Sequence, residues 1–211
     1  MLTSSLLILL LVSYLLGAVP FAVLVGRWLR GIDVRRVGSG NTGAMNTLRS
    51  AGPAIGVLVF VLDALKAALA MLLGRLLLGP EAATLCGATA VIGHCFSPYL
   101  LFASRRERGG GWKMALRRAG GKGLASGGAV LLLIDWRLAV AAIAIFGLSL
   151  LILRKDETWP TIIAVLCTTP LLWWLTRDVT ATVAVTLVSI VVIVKHLPDL
   201  REGFYVAVNH E

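Results

Sequence analysis

The sequence predicts an all-α integral membrane protein of about seven transmembrane helices, with its N-terminus outside and its C-terminus cytoplasmic. Apolar residues make up 58% of the 211 and charged residues only 15%, against about 45–50% apolar in soluble domains. They are gathered into seven runs, at about 4–26, 53–78, 82–102, 124–134, 138–153, 160–176 and 179–194, each bounded by charge, glycine or proline. A third observation, the placement of the cations, sets the orientation.

Each run can be weighed against a hydrocarbon core about 30 Å thick, which takes about 20 residues of helix. The first run has no basic stretch before it and no clear small-x-small cleavage site, so it reads as the first membrane helix and not as a signal peptide. The second and third are long enough to cross. The last four are short, and are expected to borrow length from their flanks or to span a thinned part of the bilayer. The whole chain, 1–211, is expected to form one membrane domain with no soluble domain attached.

Sixteen of the twenty lysines and arginines fall in stretches that seven spans would place on one side: Arg27 to Arg49, Arg105 to Lys122, Arg154 and Lys155, and Lys195 and Arg201. Short cytoplasmic loops carry such an excess, which orients the chain. The net charge of +9 therefore belongs to membrane topology. No nucleic-acid partner is expected, since no aromatic-basic groove or reading motif accompanies it. Cys86, Cys95 and Cys167 lie in apolar stretches without CxxC spacing and are expected as small core residues. A transporter has little support, because neither an inverted repeat nor paired broken helices can be found.

Chemistry concentrates in the basic stretches. Gly38-Ser39-Gly40-Asn41-Thr42-Gly43-Ala44-Met45-Asn46-Thr47-Leu48-Arg49 combines glycines with serine, asparagines and arginine. Backbone N–H groups in such a loop can close on an anion while the guanidinium supplies charge, although an ordinary glycine-rich turn has the same composition. Gly120-Gly121-Lys122-Gly123 stands immediately before an apolar run. A lysine among glycines at a helix start brings an ammonium and the positive end of the helix dipole to one point, but the spacing is not that of a Walker loop. His94 sits near the end of the third run, where ionisable groups are usually functional, and His196 follows the last run. Asp63 and Lys66, at i and i+3, are expected to pair inside the bundle.

In order, Ser39-Gly40-Asn41-x-Gly43-Ala44-x-Asn46-x-x-Arg49, Gly93-His94-x-Phe96, Gly120-Gly121-Lys122-Gly123-x-Ala125-Ser126 and Lys195-His196-x-x-Asp199 resemble the bacterial acyl-phosphate-dependent glycerol-3-phosphate acyltransferase family. Leu62-Asp63-x-x-Lys66 is similar as well. The resemblance implies a seven-helix enzyme of the bacterial inner membrane with its active site facing the cytoplasm. It implies acyl transfer from acyl phosphate to the 1-hydroxyl of glycerol 3-phosphate, giving lysophosphatidic acid for phospholipid synthesis, with no cofactor and no metal. By carry-over, Ser39, Arg49, His94, Lys122 and His196 would be catalytic. Gly38, Gly40, Asn41, Gly43, Asn46, Gly120, Gly121, Gly123 and Asp199 would bind substrate.

The chain departs from the family pattern at three places. Asp199 stands where the family has asparagine, and an acid beside a phosphate site calls for a neighbouring cation such as Lys195 or Arg201. Asp156-Glu157-Thr158 replaces a serine-containing segment. A basic insertion at about 103–119 separates His94 from the GGKG loop. The alternative reading is a paralogue that binds a phospholipid or glycerol phosphate head group through the same loops.

The orientation has a direct check by cysteine labelling of intact cells. An impermeant external reagent is expected to react with cysteines placed at Glu81 and Arg177 and to spare those placed at Arg35, Arg108 and Arg201. Labelling of Arg108→Cys from outside would reverse the assignment.

Overall fold

Prolines and glycines cut the apolar runs into helices. The computed structural model describes residues 2–104, 111–153 and 157–208, with side chains over 3–101, 114–153 and 157–200. The described residues form α1 (Leu2–Ala18), α2 (Phe21–Arg30), α3 (Ala44–Ala51), α4 (Pro53–Leu78), α5 (Pro80–Cys95), α6 (Pro98–Ser104), α7 (Gly111–Arg118), α8 (Leu124–Ile134), α9 (Trp136–Leu153), α10 (Thr158–Thr176) and α11 (Val179–Val208). Pro53 and Pro80 open α4 and α5 at the first helical position, where their missing N–H would have no partner anyway.

Among the described residues six stretches are long and apolar enough to cross a membrane: Thr3–Arg30, Pro53–Leu78, Pro80–Leu101, Trp136–Leu153, Thr158–Thr176 and Val179–Leu200. The short ninth and tenth helices do gain residues from their flanks, and α11 runs on through Pro198. The run at 124–134 gains none: α8 keeps its 11 residues, about 16 Å of helix at 1.5 Å per residue. Gly123 before it has φ +88° and lies so close to Cys95 that a Cβ there would meet Sγ at 2.9 Å. Arg105, Arg106, Arg108, Arg154, Lys155 and Asp156 lie outside the described residues, as do the side chains of Trp112, Lys113 and Arg201.

The outer surface is apolar where a soluble protein would be polar. Leu7, Ile8, Leu76, Ile143, Leu151 and Trp174 are all largely exposed, as expected of side chains whose solvent is lipid. Cys86 and Cys95 are buried as predicted, but Cys167 is exposed, because it lies on the outward face of α10.

The bundle centres on α5, which packs against α1, α4, α8 and α11 and is more deeply buried than any other described span. Its sequence, PEAATLCGATAVIGHC, is rich in alanine, glycine and threonine, small residues that let membrane helices approach closely where no hydrophobic effect drives them together. At the α1–α5 crossing a Cβ on Gly17 would collide with the Ala90 carbonyl, and one on Gly93 with the Tyr14 carbonyl. The break between α1 and α2 at Val19-Pro20 is tied into the same region. Tyr14 donates from its hydroxyl to the Phe96 carbonyl at 2.7 Å, and Ser97 Oγ donates to the Ala18 carbonyl at 2.6 Å.

Gly17→Ala and Gly93→Ala are therefore expected to lower stability in detergent by about 1–3 kcal/mol each, the usual effect of overpacking. Gly147→Ala, where a Cβ would meet nothing within 4 Å, should leave the thermal midpoint near that of the wild type.

Candidate active site

The loop before α3 is held by two side chains, Asp33 and Asn46. Asp33 Oδ2 accepts from Arg27 Nη2 and Arg35 Nη2, both at 2.6 Å, which pins the chain leaving α2. Burial alone would raise the Asp33 carboxyl, but the hydrogen bonds from Arg35 and Arg27 outweigh it and hold it well below the usual carboxylate range. Asn46, on α3, reaches back across the loop. Its Nδ2 donates to the carbonyls of Val34 at 2.8 Å, Asn41 at 3.0 Å and Val37 at 3.2 Å, while its Oδ1 accepts from the Ser39 N–H at 3.0 Å. Gly38 takes φ +58° and leaves no room for a Cβ beside Asn46 Oδ1. The amide of Asn46 is thus engaged by loop backbone.

Behind this loop lies a buried set of charges. Asp63 and Lys66 form the expected pair, with Nζ 2.8 Å from Oδ1. Lys66 also donates to the Val19 carbonyl at 2.9 Å, one of the groups exposed where Pro20 interrupts the helix. His94 Nδ1 lies 3.4 Å from the same Asp63 Oδ1, and Ser126 Oγ donates to the Asp63 carbonyl at 2.8 Å. The other face of the imidazole is covered by backbone: the Gly121 N–H donates to the His94 carbonyl at 3.1 Å, and a Cβ on Gly121 would collide with His94 Nε2. A Cβ on Gly120 would meet the His94 and Cys95 carbonyls. The insertion therefore does not part His94 from the GGKG loop, which folds back onto it.

The two glycine loops also touch, since a Cβ on Gly43 would lie 3.9 Å from Gly121 Cα. Beside this junction Lys122 Nζ is 2.6 Å from Asp199 Oδ2, and Arg117 Nη2 is 2.7 Å from Asp199 Oδ1. The cations expected beside Asp199 were Lys195 and Arg201. Lys195 is instead buried and donates to the carbonyls of Leu116 and, at 2.9 Å, Gly120, tying the second loop to α11. Arg117, from the end of the insertion, takes the expected role together with Lys122.

Arg49 Nη2 pairs with Glu157 Oε2 at 2.8 Å. His196 is fully buried, with Nδ1 2.7 Å from the Val192 carbonyl oxygen. A carbonyl only accepts, so Nδ1 carries the proton and the neutral ring keeps its lone pair on Nε2. That Nε2 has no hydrogen-bond partner among the described residues, and neither do the buried Asn41 Oδ1 and Thr42 Oγ1. Lys122, Asp199 and Glu157 all lie within electrostatic range of His196.

From Gly123 an apolar cavity of about 530 Å³ runs down between α8, α9, α10 and α11. Its lining passes from Gly123 and Phe60 to Leu132 and Val140. A cluster of paired cations and open polar groups thus stands at the head of a hydrocarbon-lined groove.

The structure brings Gly43, His94, Gly120 and Gly121 together at one junction, with Lys122, His196 and Asp199 beside it. Ser39 Oγ lies 3.4 Å from the Asn41 N–H, and Gly40 packs near Met114. Sequence reading passed over Thr42 and Arg117 as site residues. Thr42 occupies the variable position of its motif, and Arg117 is one of several cations in the insertion, so neither carried a signal before folding placed it.

The glycerol-3-phosphate acyltransferase family profile matches residues 7–204. The chain belongs to this family. The similarity extends to glycerol-3-phosphate acyltransferase 1 of Deinococcus radiodurans, 42% identical over 160 residues, covering 75% of this chain and 68% of that one. The glycerol-3-phosphate acyltransferase of Synechococcus sp. strain CC9902 is 37% identical over 203 residues, covering 95% of this chain and 92% of the relative. The crystal structure of PlsY (YgiH), an integral membrane glycerol 3-phosphate acyltransferase, in its glycerol 3-phosphate form superposes with a TM-score of 0.78 at 26% identity, covering 95% of this chain and 92% of that chain. Its lysophosphatidic acid form gives 0.77.

Because the folded Asp33 carboxyl is depressed, its stabilisation is complete above the ordinary value of 3.8 and is lost as pH falls through the folded value. The difference in thermal midpoint between wild type and Asp33→Asn should be largest at neutral pH and shrink in strong acid. A gap that widens with acidification would contradict the assignment.

Proposed function

We propose that this chain transfers a fatty acyl group from acyl phosphate to the 1-hydroxyl of glycerol 3-phosphate, releasing lysophosphatidic acid and inorganic phosphate. The observation that carries the reading is that Gly123, at the mouth of a chain-sized apolar groove, directly follows Lys122 of the cluster of paired cations. An amphipathic substrate needs both. The family membership and the glycerol 3-phosphate and lysophosphatidic acid forms of the PlsY relative support the same substrates. The cation bias of the loops supports a site facing the cytoplasm.

In this reading Lys122 and Arg49 hold the substrate phosphates, and the glycine-rich backbone around Gly40, Gly43 and Gly121 lets them approach closely. Asn41 and Thr42 offer buried polar atoms without partners to the glycerol hydroxyls. The 1-hydroxyl oxygen attacks the acyl carbonyl carbon, and the bond from that carbon to the phosphate oxygen breaks. Phosphate is already a good leaving group, so catalysis rests on positioning and on stabilising developing charge. The hydroxyl proton passes to His196 Nε2, the imidazole nitrogen with an open lone pair. His94, pressed between Asp63 and Gly121, positions the GGKG loop from beneath. Ser39 shapes the turn at Asn41.

Both phosphate-holding cations are paired with carboxylates, Lys122 with Asp199, which it shares with Arg117, and Arg49 with Glu157. A substrate phosphate must take the place of each carboxylate.

With purified protein, palmitoyl phosphate and glycerol 3-phosphate should yield phosphate and lysophosphatidic acid. Lys122→Ala is expected to reduce kcat/KM by about a hundredfold, as loss of a charged hydrogen bond of about 1.5–3 kcal/mol predicts. His196→Gln should lower kcat by about a hundredfold with a smaller change in KM, the pattern of a lost proton acceptor. Wild-type activity in both variants would refute the assigned roles.

Asp199→Asn separates the enzyme from the head-group-binding paralogue. A lower KM for glycerol 3-phosphate follows if the carboxylate competes with phosphate for Lys122. No turnover in either protein, with phospholipid binding retained, would favour the paralogue.

A further inference from the structure

The geometry points to Gly128 as the residue that sets how long an acyl chain the groove accepts, an inference that rests on the acyltransferase reading. The groove is about 530 Å³, within the roughly 300–1,000 Å³ of small-molecule pockets. It begins at Gly123 beside Lys122 and reaches Leu132 on the same helix. Nine residues at 1.5 Å each make that depth about 13 Å, close to the roughly 15 Å of hydrocarbon in one leaflet of a bilayer about 30 Å thick. An acyl chain whose carbonyl sits at the cation cluster would therefore lie down this groove as it lies in the membrane. The occupant is the substrate's own chain, because the groove is continuous with the head-group site at Gly123.

Along α8 the groove is lined without a side chain at Gly127 and Gly128. A Cβ on Gly127 would face Val188 Cγ1 on α11 at 4.0 Å, so the opposite wall is already near on that side. A Cβ on Gly128 would meet nothing within 4 Å, although the residue lines the cavity. Gly128 is exposed at the open side of the groove it lines, and is thus the position on α8 where a large side chain can be added across the groove without displacing a protein atom. It lies five residues below Gly123, about 7 Å along the axis, which is midway down. Helical side chains lean toward the N-terminus of their helix, so a large one here would project across the path toward the mouth. Gly147, on α9, also has open space at its Cβ but does not line the cavity. It is a matched control for the gain in helix propensity.

The experiment compares wild type, Gly128→Leu, Gly128→Phe and Gly147→Leu for turnover of palmitoyl and octanoyl phosphate with glycerol 3-phosphate. In parallel, thermal stabilisation is measured with palmitoyl and octanoyl lysophosphatidic acid. The palmitoyl-to-octanoyl ratio should fall by about a hundredfold in Gly128→Phe and by less in Gly128→Leu, since each methylene excluded from an apolar site shifts selectivity by roughly tenfold or more. It should hold at the wild-type value in Gly147→Leu. A wild-type ratio in the Gly128 variants, as expected if bilayer lipid fills the groove, would overturn the proposal. Should Gly128→Phe not fold, Gly128→Leu and the stabilisation ratio decide in the same way. A wild type without turnover, but stabilised more by the longer lipid than its Gly128 variants are, would sink the enzymatic reading and uphold the groove.

Discussion

The buried Asp63 carboxylate is the constraint on which the rest of the site depends. An isolated charge in a water-free interior is very unfavourable, so its surroundings must supply partners. Lys66 provides the countercharge at 2.8 Å, and Lys66 in turn reaches the Val19 carbonyl exposed at the helix break. His94 from α5 and Ser126 from α8 complete the shell. Four elements are thereby held in one arrangement, and both ends of the second glycine loop are anchored to it. Removing one partner would leave charge without compensation, which is why such a network defines a single geometry.

The glycine loops use this support in different ways. The first is organised from within, by the Asn46 side chain bonding to backbone of the preceding loop. The second has no side-chain scaffold of its own. It lies on the imidazole of His94 and is tied down by Lys195 through the Leu116 and Gly120 carbonyls. Glycine is needed at 120 and 121 because the backbone comes closer to His94 and Cys95 than any Cβ would permit. The result places Lys122 at the boundary between polar loops and apolar groove.

Carboxylates at Asp199 and Glu157 give the site an electrostatic character of its own. Asp199 holds Arg117 and Lys122 together with one positive charge in excess, and Glu157 balances Arg49, so the cations are held in order by carboxylates of the chain itself. Preorganised cations need less rearrangement when charge develops, and under the proposed function the same carboxylates would compete with substrate phosphate. The insertion contributes to this balance through Arg117, which shares Asp199 with Lys122.

Much of this was legible in the sequence. Helix boundaries followed from prolines and glycines, and the Asp63–Lys66 pair from i, i+3 spacing; these are local properties, set by backbone chemistry within a turn or two. The neighbours of Asp199 were decided only by tertiary structure, because Lys195, adjacent in sequence, points along α11 into the second loop, while Arg117 arrives from 82 residues away. The contact of Gly121 with His94, the unpartnered Thr42 and the groove beneath Gly123 are likewise products of helices far apart in the chain. Spacing along a chain specifies which faces a helix presents, whereas which face meets which is settled by packing small residues and compensating buried charge all at once.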